Sequence, residues 1–310
     1  MSHNLKIPST GRQLGLFIFL LGACYLAAGL LGRSMLVARG IISNQHPSID
    51  FGDPRLSSGL FKFIQGASTV IIFGIPPLLF SLLTFRSKAL YGLGFRMPEK
   101  SLFYLLGIVL ICCSIPLEGW LGQINHAIPL PAWMVDAEKD ADKQIGILLR
   151  TDSTFDIFIN LFIVALLPAI CEEACFRGAL QRILIRGLKN PWAGIVLTGA
   201  IFSFVHLQFE GFLPRMSLGI LLGALYWYSG SLWVSILAHF FTNGIQVIAV
   251  TFYPRLIHEN PSVPIVAALV STAIVLGLLV IIRRQSTATF NGVYEENSLT
   301  FSNGTEPDHI

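Results

Sequence analysis

Eight apolar blocks, each long enough or nearly long enough to cross a bilayer, constrain this chain more than any other feature. They run about 14–32, 66–85, 102–117, 155–175, 191–207, 212–228, 231–252 and 263–282. A helix rising about 1.5 Å per residue needs about 20 residues to cross a hydrocarbon core about 30 Å thick. In lipid the backbone must satisfy its own polar groups, so blocks of this length predict helices. The predicted fold class is therefore all-α, a polytopic membrane protein with about eight transmembrane helices. Composition agrees. Charged residues make up 13% of the 310 residues, hydrophobic ones 53%, and mean hydropathy is +0.67. Soluble domains carry about 25% charged residues, and disordered chains combine low hydrophobicity with high net charge, so both classes are excluded. The blocks consume roughly half of the chain at this span length, which leaves no room for a large soluble domain and predicts a single transmembrane domain over 1–310.

An even number of spans puts both termini on one side. Lys6, Arg12, Arg86, Lys88, Arg96, Lys100, Arg182, Arg186, Lys189, Arg283 and Arg284 then fall on the side of the termini. The opposite loops are longer in total and hold fewer basic residues, so the bias predicts cytoplasmic termini and an inner (plasma) membrane location. Lys6 and Arg12 ahead of the first block, with Leu21-Gly22-Ala23-Cys24 inside it, resemble a signal peptide with a lipoprotein box. The apolar run continues through Leu31, which favours an uncleaved first helix. The net charge of +3 is small, and the basic residues flank helix ends, so no nucleic-acid partner is expected. The five cysteines sit within or at the edges of spans and read as free thiols.

Two connections are longer than turns. In 33–65, Pro47, Pro54, Lys62 and Gln65 leave the start of the second span open. In 119–154, Trp133, Met134, Ile145 and Leu148 alternate with Asp136, Glu138, Lys139 and Lys143, which suits either a helix on the membrane surface or a solvated loop. From 285 to 310 the chain turns polar and is expected to be a flexible tail.

Ionisable residues inside spans cost a few kcal/mol each and mark functional sites by default. They stand in the fourth block (Glu172, Glu173 and Arg177), the fifth (Phe202-x-x-x-His206) and the seventh (His239-x-x-x-Asn243). Glu173 and Arg177 are four apart in the favourable order for an ion pair, while Glu172 points about 100° away and is the freer carboxylate. His239 and Asn243 share a helix face, as do Phe202 and His206. Pro168, four residues before Glu172, removes a helix donor and predicts a kink. Counting from a turn near Leu188, Glu172 and His206 lie roughly 24 Å and 27 Å along antiparallel helices and so meet, provided that the fourth helix continues through Arg182 and Arg186.

A carboxylate, two imidazoles and an amide converging in a bilayer suit water activation and attack on a carbonyl. Glu172 would serve as general base for a water shared with His206, while His239 and Asn243 would donate to the oxyanion. Alternatively Glu172, His206 and His239 would bind Zn²⁺, two histidines and a carboxylate being a common catalytic zinc set. Motifs of other intramembrane proteases are missing: the chain has no His-Glu-x-x-His, no Gly-x-Ser-Gly and no Gly-x-Gly-Asp. Each cluster also has a plainer reading. Glu173 with Arg177 could be a structural ion pair, and the histidines helix-packing hydrogen bonders. Cys171 and Cys175 read as packing residues rather than metal ligands, Glu210 as a loop carboxylate, and Gly219-x-x-x-Gly223 as a close helix contact.

Glu172-Glu173-x-x-x-Arg177, Phe202-x-x-x-His206 and His239-x-x-x-Asn243, in this order on three hydrophobic helices, resemble the motif set of the CAAX prenyl protease and bacteriocin-processing family, related to the Ras-converting type II CAAX endopeptidase. The resemblance covers about 155–250. It implies an eight-helix protein around a cytoplasm-facing intramembrane catalytic cavity, with endopeptidase activity on a membrane-associated peptide or protein substrate and a glutamate- or metal-dependent hydrolytic mechanism. It assigns water activation to Glu172 and His206 and the oxyanion to His239 and Asn243, with Glu173 and Arg177 in support. The rival expectation is a non-enzymatic membrane protein, either a proton-coupled transporter or a bacteriocin-immunity type binding protein.

Overall fold

The computed structural model describes residues 5–43, 48–85, 89–257 and 262–294. Their regular structure is helical apart from an isolated bridge between Leu5 and Phe85. In chain order the main helices are α1 (Thr10–Ala38), α2 (Ser58–Thr84), α3 (Leu102–His126), α4 (Ala132–Leu148), α5 (Thr154–Leu188), α6 (Pro191–Phe204), α7 (Phe212–Ser229), α8 (Leu232–Phe252) and α9 (Ile265–Gln285). Among the described residues six of these, α1, α2, α3, α5, α8 and α9, are long and apolar enough to cross a membrane. The chain is an integral, multi-pass membrane protein.

The fifth and sixth apolar blocks form shorter helices. The block at 191–207 gives only the 14 residues of α6, which ends at Phe204; Val205 and His206 form a turn, and the left-handed Leu207 (φ 54°) then redirects the chain. The 18 residues of α7 carry Arg215 in their first turn. α1 runs unbroken past Cys24. α2 begins at Ser58, where the Ser57 hydroxyl caps the Leu60 N–H, so Lys62 and Gln65 lie inside the helix rather than ahead of it. The Lys62 ammonium is buried, donating to the Arg150 carbonyl at 3.1 Å, with Asp156 Oδ1 at 3.8 Å. The 119–154 connection resolves into the continuation of α3 and then α4.

α5 is 35 residues long, and its last turns carry Arg182 and Arg186 beyond the apolar block. It stops where Lys189 takes a left-handed conformation (φ 53°), and Asn190 caps α6 by accepting from the Ala193 N–H at 3.1 Å. This is the antiparallel hairpin whose turn the sequence places near Leu188. α5 is not a uniform α-helix. Pro168 cannot donate to Val164, and the preceding Leu161–Leu166 widens into a π-turn in which the Leu167 N–H reaches Phe162. Pro76 and Pro77 in α2 follow a similar π-turn at Val70–Gly74. A third π segment in α5, Ala174–Gln181, carries Arg177.

α6 and α7 pack backbone to backbone. A Cβ placed on Gly219 would lie 2.9 Å from the Cα of Gly199. This close approach exposes the Gly219 and Gly223 carbonyls to α5, where they accept from Arg177 Nη2 at 2.9 Å and Gln181 Nε2 at 3.0 Å. The glycine pair is thus a helix contact that also receives two polar side chains one turn apart. At the other end of α7, the Asn125 amide of α3 donates to the Phe209 carbonyl at 2.6 Å and accepts from the Leu213 N–H at 2.8 Å.

Of the stretch 285–310, expected as a tail, residues 286–294 hold to the bundle. Ser286 donates to the Tyr228 carbonyl, Thr287 donates to Glu99, and Phe290 and Val293 of a short helix, Phe290–Tyr294, pack on the core. Residues 295–310 lie outside the described residues, as do Pro47, Arg86 and Lys88.

The glycine contact yields a prediction of opposite signs. Gly219→Ala would force α6 and α7 apart and lower stability by about 1–3 kcal/mol, the usual cost of overpacking. Gly277→Ala in α9, where an added Cβ meets nothing within 4 Å, would be neutral or stabilising, since alanine is the better helix former. Thermal unfolding of the two purified variants in detergent tests both.

Candidate active site

α5 places Glu172 and Glu173 side by side, and their surroundings divide their roles. Glu173 is fully buried, and its Oε1 accepts from Arg177 Nη1 at 2.6 Å and from His239 Nδ1 at 2.9 Å. Arg177, also fully buried, lies 4.7 Å above the Phe202 ring, so the phenylalanine of the second motif seats the arginine of the first. The ion pair expected from the spacing is present, and His239 joins it from α8.

Glu172 faces the other way. Its Oε2 lies 4.0 Å from His206 Nε2 and 3.9 Å from His239 Nε2. His206 Nδ1 is 2.7 Å from the Phe202 carbonyl, and the two rings meet edge to face at 4.9 Å. A carbonyl oxygen only accepts, so Nδ1 carries the proton and the neutral ring turns a bare Nε2 towards Glu172. His239 is held in the same way at Nδ1, which donates to Glu173, and its Nε2 also faces Glu172. Two imidazole Nε2 atoms and one carboxylate oxygen thus converge with gaps that exceed a direct hydrogen bond and fit a water between them.

Asn243, one turn beyond His239, directs Nδ2 to the Val164 carbonyl at 3.5 Å. That carbonyl's α-helical donor would have been the N–H that Pro168 lacks. Glu172, His206, His239 and Asn243 all line one pocket of about 380 Å³, together with Phe202 and Pro168. Glu173 and Arg177 stand behind it rather than in it. A second pocket of about 420 Å³ lies toward the Arg182 end of α5, among Arg96, Glu99 and Tyr226, and holds no histidine.

The pocket also contains residues that the sequence reading did not assign to it. Glu118 of α3 lines it and accepts from the Ser114 hydroxyl at 2.9 Å. Glu118 stands one residue past the third apolar block, 102–117, and the helix runs on to His126; an acidic residue directly at a span end is its signal in the sequence. Arg215 and Gln208 line the pocket too; Arg215 stands near the start of the sixth apolar block, where the sequence counts it among the charges of the preceding loop. Ile145 and Leu148 of α4 close one wall. α4 reaches the same region through Glu138, which accepts from the Glu210 N–H at 2.8 Å; burial pushes the Glu138 carboxyl up, and this bond opposes the shift. Glu210 itself pairs with His126 at 3.2 Å and is not part of the pocket wall. Cys171 packs on Gly74, whose added Cβ would lie 3.2 Å from the sulfur.

The zinc alternative can be tested on these distances. A tetrahedral zinc with bonds of 2.0–2.1 Å holds its ligands about 3.3 Å apart, closer than the 3.9 and 4.0 Å that separate Glu172 from the two histidines. Among the described residues no group of three His, Cys, Asp or Glu side chains is placed to hold a metal ion. The trio as arranged does not close around a metal.

Residues 154–245 match the family described as Type II CAAX prenyl endopeptidase Rce1-like. That stretch contains Glu172, Glu173, Arg177, His206, His239 and Asn243. That stretch, less than a third of the chain, is similar to the Rce1-like CAAX endopeptidase family. No curated protein and no solved structure matches the chain. The matched stretch begins at the capped start of α5, where Ser153 and Asp156 form a capping box, and it ends in α8 two residues past Asn243. α1, α2, α3 and α9 lie outside it, yet α2 and α3 supply Gln65 and Glu118 to the pocket wall.

Because Arg177 and Glu173 are buried together, removing one strands the other. Arg177→Met would leave the Glu173 charge with only His239 and cost about 3–5 kcal/mol, the range for breaking a buried pair. Glu172→Gln, which keeps the shape and faces the pocket, would shift stability by no more than about 1 kcal/mol. Parallel thermal melts in one detergent, with circular dichroism to confirm helical content, check the contrast.

Proposed function

We propose that this protein is an intramembrane endopeptidase that hydrolyses a peptide bond of a membrane-associated peptide or protein, in the manner of a CAAX protease, with water activated by Glu172 and His206. The observation that carries the reading is the convergence of Glu172 Oε2 with the Nε2 atoms of His206 and His239, in a protein whose scarce ionisable residues are concentrated there. In this reading α6 and α7 are the short members of an eight-helix membrane core, both termini face the cytoplasm, and the 380 Å³ pocket is the catalytic cavity.

The proton inventory gives each group a task. Water held by Glu172 and His206 Nε2 loses a proton to Glu172 as its oxygen attacks the scissile carbonyl. The Asn243 amide is one donor for the resulting oxyanion. His239 is the second when its Nε2 is protonated, with Glu173 countering the imidazolium. Glu172 then returns the proton to the leaving nitrogen as the C–N bond breaks, so that water is divided between a new carboxyl and a new amine. Pro168 contributes indirectly: it has no N–H to offer the Val164 carbonyl, which is the one that Asn243 approaches.

The transporter reading would use the same carboxylate and imidazoles as a proton relay, but it gives the Asn243 amide nothing to do. Asn243→Ala is therefore expected to reduce cleavage by about 10²–10³-fold, the usual value of one oxyanion donor. Glu172→Gln and His206→Ala would each reduce cleavage by about 10²–10⁴-fold. Protein termini mapped by mass spectrometry in membranes carrying wild type or each variant provide the measurement. An unchanged set of termini with Glu172→Gln would sink the endopeptidase. Cleavage that survives exhaustive chelation, with no bound zinc by elemental analysis, is also expected.

A further inference from the structure

The pocket that holds the reacting trio also holds a cation that no carboxylate touches directly, Glu138 and Glu172 acting on it only from a distance. Arg215, half-buried in the first turn of α7, donates through Nη1 to the Gln208 carbonyl at 3.0 Å and through Nη2 to Gln208 Oε1 at 2.8 Å. Among the described residues no carboxylate is in direct ion-pair contact with it, while Glu138 and Glu172 attract it at longer range. A guanidinium carries five donors in a rigid fork, so fixing it by two bonds to a neutral amide leaves three for another group. Structural arginines at such depth normally meet a carboxylate, as Arg177 meets Glu173 in this protein.

The local backbone is shaped around this side chain. Leu207 is left-handed and turns the chain so that Gln208 comes beside Arg215. At Gly211 a Cβ would lie 3.0 Å from Arg215 Nη2, so glycine keeps the space in which the guanidinium sits. The Asn125 clamp on Phe209 and Leu213 holds this turn to α3. The site is thus built, and its free donors border the same cavity as Glu172.

We propose that Arg215, braced by Gln208, is a specificity-determining residue that binds a carboxylate of the peptide substrate while the scissile bond lies against Glu172. This rests on the endopeptidase reading above. An arginine fork pairs with a carboxylate through two parallel hydrogen bonds, which sets orientation as well as affinity. Glu118 and Glu172 line the same pocket and repel an anion, so a substrate carboxylate held there needs the Arg215 fork, the arginine of that lining. Ile145, Leu148 and Leu218 supply apolar walls for neighbouring side chains. The carboxylate could belong to the chain terminus of the substrate or to an Asp or Glu side chain, and the chemistry of the subsite is the same for both.

The experiment maps termini in membranes carrying wild type, Glu172→Gln or Arg215→Met, each checked for folding by its thermal melt. It then uses synthetic peptides spanning one mapped site. Each peptide is made as the free acid, as the C-terminal amide and with its Asp or Glu residues changed to Asn or Gln. Removal of one particular carboxylate should lower wild-type kcat/KM at least tenfold, and the same removal should have little effect in Arg215→Met. Which peptide loses activity tells a chain terminus from a side chain. Arg215→Glu should shift the preference towards Lys or Arg at that position, which a purely structural arginine would not produce. If every carboxylate can be removed without loss in wild type, or if the loss is equal in Arg215→Met, the subsite is wrong and the endopeptidase stands. If no terminus depends on Glu172, the endopeptidase fails and the subsite fails with it.

Discussion

One oxygen atom organises the centre of this protein. Glu173 Oε1 accepts from both Arg177 and His239, so a single carboxylate ties α5 to α8 and, through the arginine's second bond to Gly219, to α7. A buried ion pair of this sort contributes little net stability over an apolar replacement, because desolvation offsets attraction. Its effect is on specificity. It allows one rotation and one tautomer of His239, with Nδ1 protonated and Nε2 turned towards Glu172. The neighbouring glutamate is left free because its twin is fully engaged.

Two backbone devices make that arrangement possible. Glycines at 199 and 219 let α6 and α7 approach until their backbones touch, and this brings helix carbonyls within reach of Arg177 and Gln181. Prolines in α5 and α2 are accompanied by π-turns, which rotate the residues that follow relative to those before. In α5 the residues that follow are the two glutamates. Lipid would penalise the unsatisfied groups that such turns release, and at Val164 the group is met by the amide of Asn243.

Much of the site was legible because its members lie at helical spacings. The four-residue intervals of Glu173 with Arg177, Phe202 with His206 and His239 with Asn243 each name a shared face, and each pair meets a common environment in the structure. Counting from the hairpin turn placed Glu172 opposite His206, and the ring and carboxylate stand 4.0 Å apart. Glu118 and Arg215 were not legible in this way. Both lie at the edge of an apolar block, where a boundary error of a residue or two decides whether a charge belongs to the pocket or to a loop. Nothing local to Arg215 shows that its neighbour is Gln208 across a left-handed turn.

The sequence by itself determined that the chain is helical and membrane-embedded, since blocks of apolar residues have no other stable environment, and that its few ionisable residues inside spans belong together, since each is costly in lipid alone. It also determined which of them pair along a helix, because that depends only on the pitch. The tertiary structure alone decided that His239 pairs with Glu173 rather than Glu172 through Nδ1, that two apolar blocks form helices shorter than the others, and that Arg215 and Glu118 share the cavity. Those outcomes depend on how far each helix is rotated and shifted against its neighbours. Glycine contacts, proline π-turns and a left-handed residue set that packing, and no periodicity in the sequence records it.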